Sequence, residues 1–168
     1  PLGDGGKTLI LIRHAKSDWG NSGLDDLDRP LNERGKRDAP VMAHRLLDKK
    51  IRIDAFISSP AKRAARTAKI FARELGAKKK DILFREELYL PAASVFFDVI
   101  SGTDDSFDSI AVFSHNNGIT DFANQLTGTR IDNIPTCGVF AIKADCSSWK
   151  DFKEAQKEFW FFDYPKAT

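Results

Sequence analysis

The sequence predicts an α/β fold, a three-layer α/β/α sandwich whose central sheet is mostly parallel with an antiparallel edge strand. Short apolar runs without alternation, at residues 8–12 and 109–113, are typical of strands buried on both faces. These runs alternate along the chain with segments of helical periodicity, which favours a parallel sheet covered by helices on both sides. The last two apolar segments, joined by a polar connection, predict an antiparallel pair.

The first half of the chain begins with the strand at residues 8–12, followed by a long polar connection over residues 18–30. Asn32 then has the features of a helix N-cap, and its helix reaches about residue 50. Pro40 lies inside this segment, so either the helix kinks there or it starts near residue 39.

A second strand is predicted at residues 53–58, and a helix start follows it. Ser59 is a suitable N-cap and Pro60 a suitable first helical residue, and Gly76 is a natural C-terminal stop. The remaining elements are predicted by the same patterns. They are a strand at 82–84, a helix at 92–100, a strand at 109–113, a helix at 119–126, and strands at 137–144 and 158–162 around a polar connection that includes Trp149.

The composition is that of one globular domain. The chain has 168 residues, of which 42% are hydrophobic and 30% charged, and a net charge of +2 does not indicate a nucleic-acid or membrane partner. Cys137 and Cys146 form no disulfide framework, so we expect a reduced, cytoplasmic protein. We expect residues 7–168 to form a single domain and residues 1–6 to be a disordered tail or a remnant of an expression vector.

Polar side chains follow three of the predicted strands. Arg13 and His14 end the first strand, Arg63 lies in the first turn after the second, and His115 follows the strand at 109–113. The carboxyl ends of parallel strands meet at one edge, where open α/β sheets bind ligands. Helix N-termini and planar guanidinium forks both favour phosphate-like anions. The pattern therefore predicts an anion site.

Each of these residues also has a structural interpretation. Arg13 and His14 could mark only the point where a strand reaches water, His115 could cap the next helix, and Arg63 could lie on a helix surface. Arg66 is expected to be structural. Four aspartates in the polar connection could form a cation site, although a solvated acidic loop is the preferred interpretation; they are Asp18, Asp25, Asp26 and Asp28.

Three motifs resemble those of the histidine phosphatase superfamily, also called phosphoglycerate mutase-like. RHAKS at residues 13–17 resembles its R-H-G motif, with alanine in place of glycine. SSPAKRAARTA at residues 58–68 resembles its S-x-x-x-R-A-x-x-T-A helix, and VFSHNNG at residues 112–118 resembles the segment of its second histidine. RHAKSDW followed by DRPLNERG is most similar to the short bacterial branch typified by SixA phosphohistidine phosphatases.

The resemblance implies a phosphatase that needs no metal or cofactor. His14 would attack phosphorus and form a phosphohistidine intermediate, so it must be neutral. Arg13, Arg63 and His115 would hold the phosphoryl oxygens. Lys16, Ser17 and Asn116 are candidate substrate-binding residues, although Lys16 and Ser17 could instead shape the turn.

The sequence leaves open which residue would donate a proton to the leaving group. The larger branches of the family use a glutamate after the third strand, where Glu86 and Glu87 stand, and Asp18 is a rival because it follows the nucleophile loop. We count Glu87 and Asp18 among the candidate substrate-binding residues. The expected substrate is phosphohistidine in a partner protein. The alternatives are a small phosphorylated metabolite, or a binding module without catalytic activity.

Overall fold

A six-stranded sheet forms the centre of the structure, a computed structural model that describes residues 6–21, 23–78 and 81–166. The strands are β1 (Lys7–Arg13), β2 (Ala55–Ser58), β3 (Ile82–Phe84), β4 (Ser109–Ser114), β5 (Val139–Ala144) and β6 (Lys157–Asp163). Their order is β3-β2-β4-β1-β5-β6. The pairings among the first four strands are parallel, and β5 runs antiparallel to both β1 and β6. The antiparallel pairing thus lies at the β6 edge, as predicted. Residues 1–5 of the predicted tail lie outside the described residues.

In the described part of the chain, four α-helices cover the sheet: α1 (Glu33–Asp48), α2 (Lys62–Glu74), α3 (Ala93–Ser101) and α4 (Gly118–Ala123). Short 3-10 turns occupy Asp26–Asp28, Glu86–Leu88 and Trp149–Asp151. Within the described ranges, no helix combines the length and the hydropathy that crossing a membrane requires.

Two apolar clusters separate the layers, one on each face of the sheet. On β1, Leu9 and Leu11 belong to the cluster that includes residues of α3 and α4. The intervening Ile10 and Ile12 belong to the cluster formed with α1 and α2. Successive strand residues point to opposite faces, so a strand buried on both sides must be apolar throughout. This confirms the interpretation of residues 8–12 and the three-layer α/β/α prediction.

Of two helix starts predicted from the sequence, the structure confirms the first and contradicts the second. Asn32 caps α1, because its side chain accepts a hydrogen bond from the Gly35 amide at 2.9 Å, and the helix continues through Pro40 without a later start. The predicted start of α2 at Pro60 is wrong, since the helix begins at Lys62. The Ser59 hydroxyl instead accepts from the Ala61 amide at 3.2 Å in a turn before the helix.

The connection between β5 and β6 is less polar than expected. Trp149 is fully buried in its 3-10 turn, and its indole nitrogen donates a hydrogen bond to the Phe107 carbonyl at 2.7 Å. An indole can be buried in this way only when its N–H finds an acceptor. Local composition could not indicate this contact, because Phe107 lies on a distant segment.

The sheet order places three chain segments at one edge. Arg13 is the register partner of Ser114, and the His14 amide donates to the Ser114 carbonyl at 3.1 Å. On the other side of β4, the Ser59 amide donates to the Phe113 carbonyl at 3.0 Å. The residues that follow β1, β2 and β4 therefore meet at the carboxyl edge of the sheet.

The turn after β1 is packed tightly against the start of α1. The Asn32 amide donates to the Lys16 carbonyl at 3.0 Å. A Cβ atom on Gly35 would stand 2.2 Å from that same carbonyl oxygen. Only glycine allows the helix to approach this closely.

We expect Gly35→Ala to lower the free energy of unfolding by about 1–3 kcal/mol, the usual cost of overpacking. The clash with backbone should outweigh the preference of helices for alanine over glycine. Urea denaturation measures the change. Gly128→Ala is the matched control, because a Cβ there would meet nothing within 4 Å. An unchanged Gly35→Ala protein would show that the turn is not fixed by this contact.

Candidate active site

A cavity of about 320 Å³ lies at the carboxyl edge of the sheet. Seven residues predicted from the sequence to form the site line it: Arg13, His14, Lys16, Ser17, Arg63, His115 and Asn116. Five further residues complete the lining, namely Trp19, Asp26, Arg29, Leu90 and Thr136. Glu87 and Asp18 are not among the lining residues.

His14 is held in one tautomer by its own backbone. Its Nδ1 lies 2.8 Å from the Ala15 carbonyl oxygen, which can only accept, so Nδ1 carries the proton and Nε2 has a free lone pair. Burial is the main reason why the pKa of His14 is lowered to about 3. The hydrogen bond to Ala15 opposes this shift, and the neighbouring arginine charges reinforce it. The imidazole is therefore neutral at physiological pH, with an available lone pair on Nε2.

The backbone around His14 is fixed from two sides. The Ala15 amide donates to Thr67 Oγ1 at 3.0 Å, and the Thr67 hydroxyl donates to the Arg63 carbonyl at 2.7 Å. On the other side, the Cys137 amide lies 3.0 Å from the carbonyl oxygens of Arg13 and His14. The turn that carries His14 is thus tied directly to α2.

His115 stands beside His14, with their ring centroids 5.1 Å apart. Its Nε2 lies 2.8 Å from the Ser59 hydroxyl oxygen, which accepts from the Ala61 amide. The hydroxyl proton is then free to point to Nε2, which leaves the proton of His115 on Nδ1. Burial, followed by the influence of His14, lowers the pKa of His115 to about 3.

Three buried side-chain nitrogens in the described part of the chain lack a hydrogen-bond partner. They are Nε of Arg13, Nε of Arg63 and Nδ1 of His115, and all three side chains line the cavity. A buried donor without a partner lowers the free energy of unfolding by about 1–3 kcal/mol. The guanidinium groups and the imidazole that line this cavity suit a ligand rich in oxygen acceptors, such as a phosphoryl group.

Asp26 holds the cationic side of the cavity together, in an arrangement that we call the Asp26 clamp. Arg63 donates to the Asp26 carbonyl at 2.7 Å and to its Oδ2 at 2.8 Å. Arg29 donates from Nε and Nη2 to Oδ1 at 3.3 and 3.0 Å, and the Tyr89 hydroxyl donates to Oδ2 at 2.5 Å. Asp26 is exposed, as the preferred interpretation of a solvated acidic loop expects, but its carboxylate is also paired with two arginines, which the sequence did not indicate.

The protonation of Asp26 follows from these contacts. Partial burial alone would raise its pKa, but the hydrogen bonds from Tyr89, Arg29 and Arg63 outweigh that effect and hold the pKa far below its ordinary value. The same contact raises the pKa of Tyr89. Asp26 is thus an ionised acceptor and cannot donate a proton.

Arg29 links the clamp to the turn after β1. Its guanidinium also donates to the Ser17 hydroxyl and lies 3.6 Å from the centroid of the Trp19 ring. Sequence reasoning missed Asp26, Arg29, Trp19 and Tyr89. The one available signal was the i,i+3 spacing of Asp26 and Arg29, which allows an ion pair across the single turn that they form.

The other predicted site residues are placed as follows. Glu87 is exposed in the turn Glu86–Leu88, and Asp18 is exposed with its Oδ1 accepting from the Gly20 amide at 2.7 Å. The Asn116 amide group accepts from Thr120 at 2.6 Å and donates to Asn133. No cluster of metal-ligating side chains occurs among the described residues.

Comparison with known proteins identifies related sequences. The sequence model of the histidine phosphatase superfamily (branch 1) matches residues 9–89. An uncharacterized chloroplastic protein of Arabidopsis thaliana is 30% identical over 154 residues, which is 86% of this chain and 70% of that protein. Phosphoserine phosphatase 1 of Hydrogenobacter thermophilus is 44% identical over 62 residues, 36% of this chain and 28% of that enzyme.

Solved structures share the fold at lower identity. A SixA protein from Agrobacterium tumefaciens superposes with a TM-score of 0.80 at 24% identity, covering 95% of this chain and 98% of that one. The protein histidine phosphatase SixA complexed with tungstate gives 0.80 at 19% identity, with 94% and 97% covered. A mycobacterial glucosyl-3-phosphoglycerate phosphatase gives 0.66 at 15% identity, with 97% and 100% covered.

Replacing Asp26 with asparagine should lower the free energy of unfolding by about 1 kcal/mol at neutral pH, since solvent weakens the ion pairs of this partly exposed carboxylate. A lowered folded-state pKa stabilises the fold above about pH 4, the ordinary aspartate value, and this stabilisation fades as the pH falls further. The difference between the two proteins should therefore shrink in acid. Urea denaturation across this range measures it.

Asp28→Asn is the matched control, because Asp28 is an exposed carboxylate in the same short turn. If the control loses as much stability as Asp26→Asn, or if the difference grows in acid, the Asp26 clamp is not what orders the arginines.

Proposed function

Because this chain belongs to the histidine phosphatase superfamily, we propose that it is a phosphatase that removes phosphate from phosphohistidine in a partner protein. The observation that carries this proposal is that Arg13, Arg63 and His115 line the same cavity as a neutral His14. They would bind the phosphoryl oxygens, while His14 supplies the nucleophile.

In the first step, the lone pair on Nε2 of His14 attacks phosphorus in line with the leaving nitrogen. The bond from phosphorus to Nε2 forms as the bond to the leaving imidazole breaks, and the imidazole takes a proton from solvent. The fixed Nδ1–H contact to Ala15 keeps the lone pair on the correct nitrogen. It also stabilises the charge that the imidazole develops.

In the second step, water attacks the phosphohistidine on His14 and releases inorganic phosphate. Charge spreads over the equatorial phosphoryl oxygens in both transition states. Arg63 and His115 are buried, Arg13 is half-buried, and all three line the cavity, so they can stabilise that charge with little reorganisation. The two guanidinium groups supply the positive charge that this chemistry needs, while the neutral His115 acts as a hydrogen-bond donor, and we propose no metal or cofactor.

The choice of phosphohistidine rests on the leaving group. Among the described residues that line the cavity, Asp26 carries the one carboxylate, and its contacts keep it ionised. An alkoxide leaves poorly without a positioned acid, whereas imidazole has a conjugate acid with a pKa of about 6.5 and leaves readily near neutral pH. The cavity thus favours a phosphoramidate over an alkyl phosphate.

A protein substrate fits the exposed mouth of the cavity. Trp19 and Leu90 line it, yet they are 74% and 55% exposed. Exposed apolar side chains at a site entrance are typical of contact with another macromolecule. The two free cysteines fit a reaction in the reducing cytoplasm.

A small phosphorylated metabolite is the second candidate. It is supported by the similarity to phosphoserine phosphatase 1, which extends over 62 residues, 36% of this chain. Such a substrate would expel an alkoxide and would need a general acid, for which Glu87 and Asp18 are the candidates that the sequence offers.

We expect Glu87→Gln and Asp18→Asn each to change kcat/KM for a phosphohistidine peptide by less than about tenfold, because the leaving imidazole needs no dedicated acid. Wild-type protein should prefer this peptide over the matched phosphoserine peptide by at least about a hundredfold. The measurement is release of phosphate from both peptides at matched pH.

Arg63→Ala provides the positive control and should reduce the rate on the order of a hundredfold through loss of a charge-assisted contact. A collapse of phosphohistidine turnover in Glu87→Gln, or faster hydrolysis of phosphoserine by the wild type, would favour the small-metabolite candidate.

A further inference from the structure

A second cavity, of about 430 Å³, runs along the surface between α1 and α2. Leu31 and Ala65 contribute its buried apolar floor. Four basic residues also line this cavity: Lys36, Lys62, Arg66 and Lys69. We call this surface the basic groove.

The cations of the basic groove are arranged in a row. Lys62, Arg66 and Lys69 follow an i, i+4, i+7 spacing, which places them on one face of α2. Within the described ranges, none of these three forms an ion pair within 4 Å, and Lys36 pairs only with the exposed Glu33 at 3.3 Å. The groove therefore carries an excess of positive charge although the whole chain is nearly neutral at +2.

The two faces of α2 differ in burial. Arg63, next to Lys62, is 2% exposed and belongs to the active-site cavity, whereas Lys62 and Arg66 are exposed. At the other side of the groove, Pro30 directly follows Arg29 of the Asp26 clamp. The basic groove thus begins beside the active site and follows α2 away from it for about 10 Å, at 1.5 Å per residue.

This geometry fits an extended acidic chain better than a compact anion. Three of the cations are spread along α2 instead of converging on one point. Lys62 and Arg66 are exposed and Lys69 is half-buried. Charged groups of this kind steer a partner of opposite charge and fix its register. A chain lying in the groove could place a residue beyond its end into the neighbouring cavity.

We propose that the basic groove binds an acidic segment of the protein whose phosphohistidine enters the active site. This inference rests on the proposed function and adds a chemical requirement to the partner, namely Asp and Glu residues on one side of the phosphorylated histidine. The groove contributes to affinity for the protein substrate, while the chemistry stays with His14.

The test uses two phosphohistidine peptides that are identical except for a flank of Asp and Glu or a flank of Ser and Gln. In the double variant Arg66→Glu, Lys69→Glu, we expect KM for the acidic peptide to rise about tenfold or more and its dependence on salt to weaken. The kcat for both peptides and the KM for the neutral peptide should stay unchanged. Lys150→Glu, Lys153→Glu is the matched control, because it reverses two exposed lysines in and after the Trp149–Asp151 turn.

A binding measurement keeps the inference separate from the proposed function. Fluorescence anisotropy of the unphosphorylated acidic peptide should show binding to wild type that is lost in the groove variant and retained in the control, whether or not any peptide is hydrolysed. Equal weakening by the control variant would overturn the inference. The inference would also be overturned if the acidic peptide fails to bind and a single-stranded oligonucleotide or phosphatidylserine vesicles bind through Arg66 and Lys69 instead.

Discussion

The parallel pairing of β1 with β4 is the constraint on which the rest of the site depends. It sets Arg13 opposite Ser114, so that His14 and His115 leave the sheet edge together and their rings lie 5.1 Å apart. The pairing of β4 with β2 then brings Ser59 to the second histidine. Residues far apart in sequence thus become nearest neighbours through backbone pairing alone.

Burial and charge then determine the protonation states of the side chains at this edge of the sheet. Burial keeps both histidines neutral, and the adjacent guanidinium groups would repel one another without a counter-charge. Asp26 supplies that charge to Arg29 and Arg63 at once. The contacts that order the arginines also keep Asp26 ionised. Its carboxylate therefore has no proton to donate to a leaving group. The proposed preference for a good leaving group rests on this arrangement.

Periodicity and short motifs were sufficient to predict the strands, the layers and the residues at the three strand ends. Those features depend on local pattern, such as the unbroken apolar run of β1. The Asp26 clamp could not be predicted in the same way, because the connection between β1 and α1 has no periodicity and its conformation depends on distant partners, Arg63 and Tyr89. The start of α2 was misplaced because Ser59 and Pro60 form a good cap signal, yet Ser59 is engaged with His115.

The central claim is that His14 becomes covalently phosphorylated. Incubation with radiolabelled phosphoramidate followed by an alkaline quench should trap label that is stable in base, labile in acid and located by peptide mass spectrometry on His14. His44→Ala, which changes an exposed histidine of α1, should retain the label, and His14→Ala should lose it. Label that persists on the His14→Ala protein, or turnover that survives in it, would contradict the account.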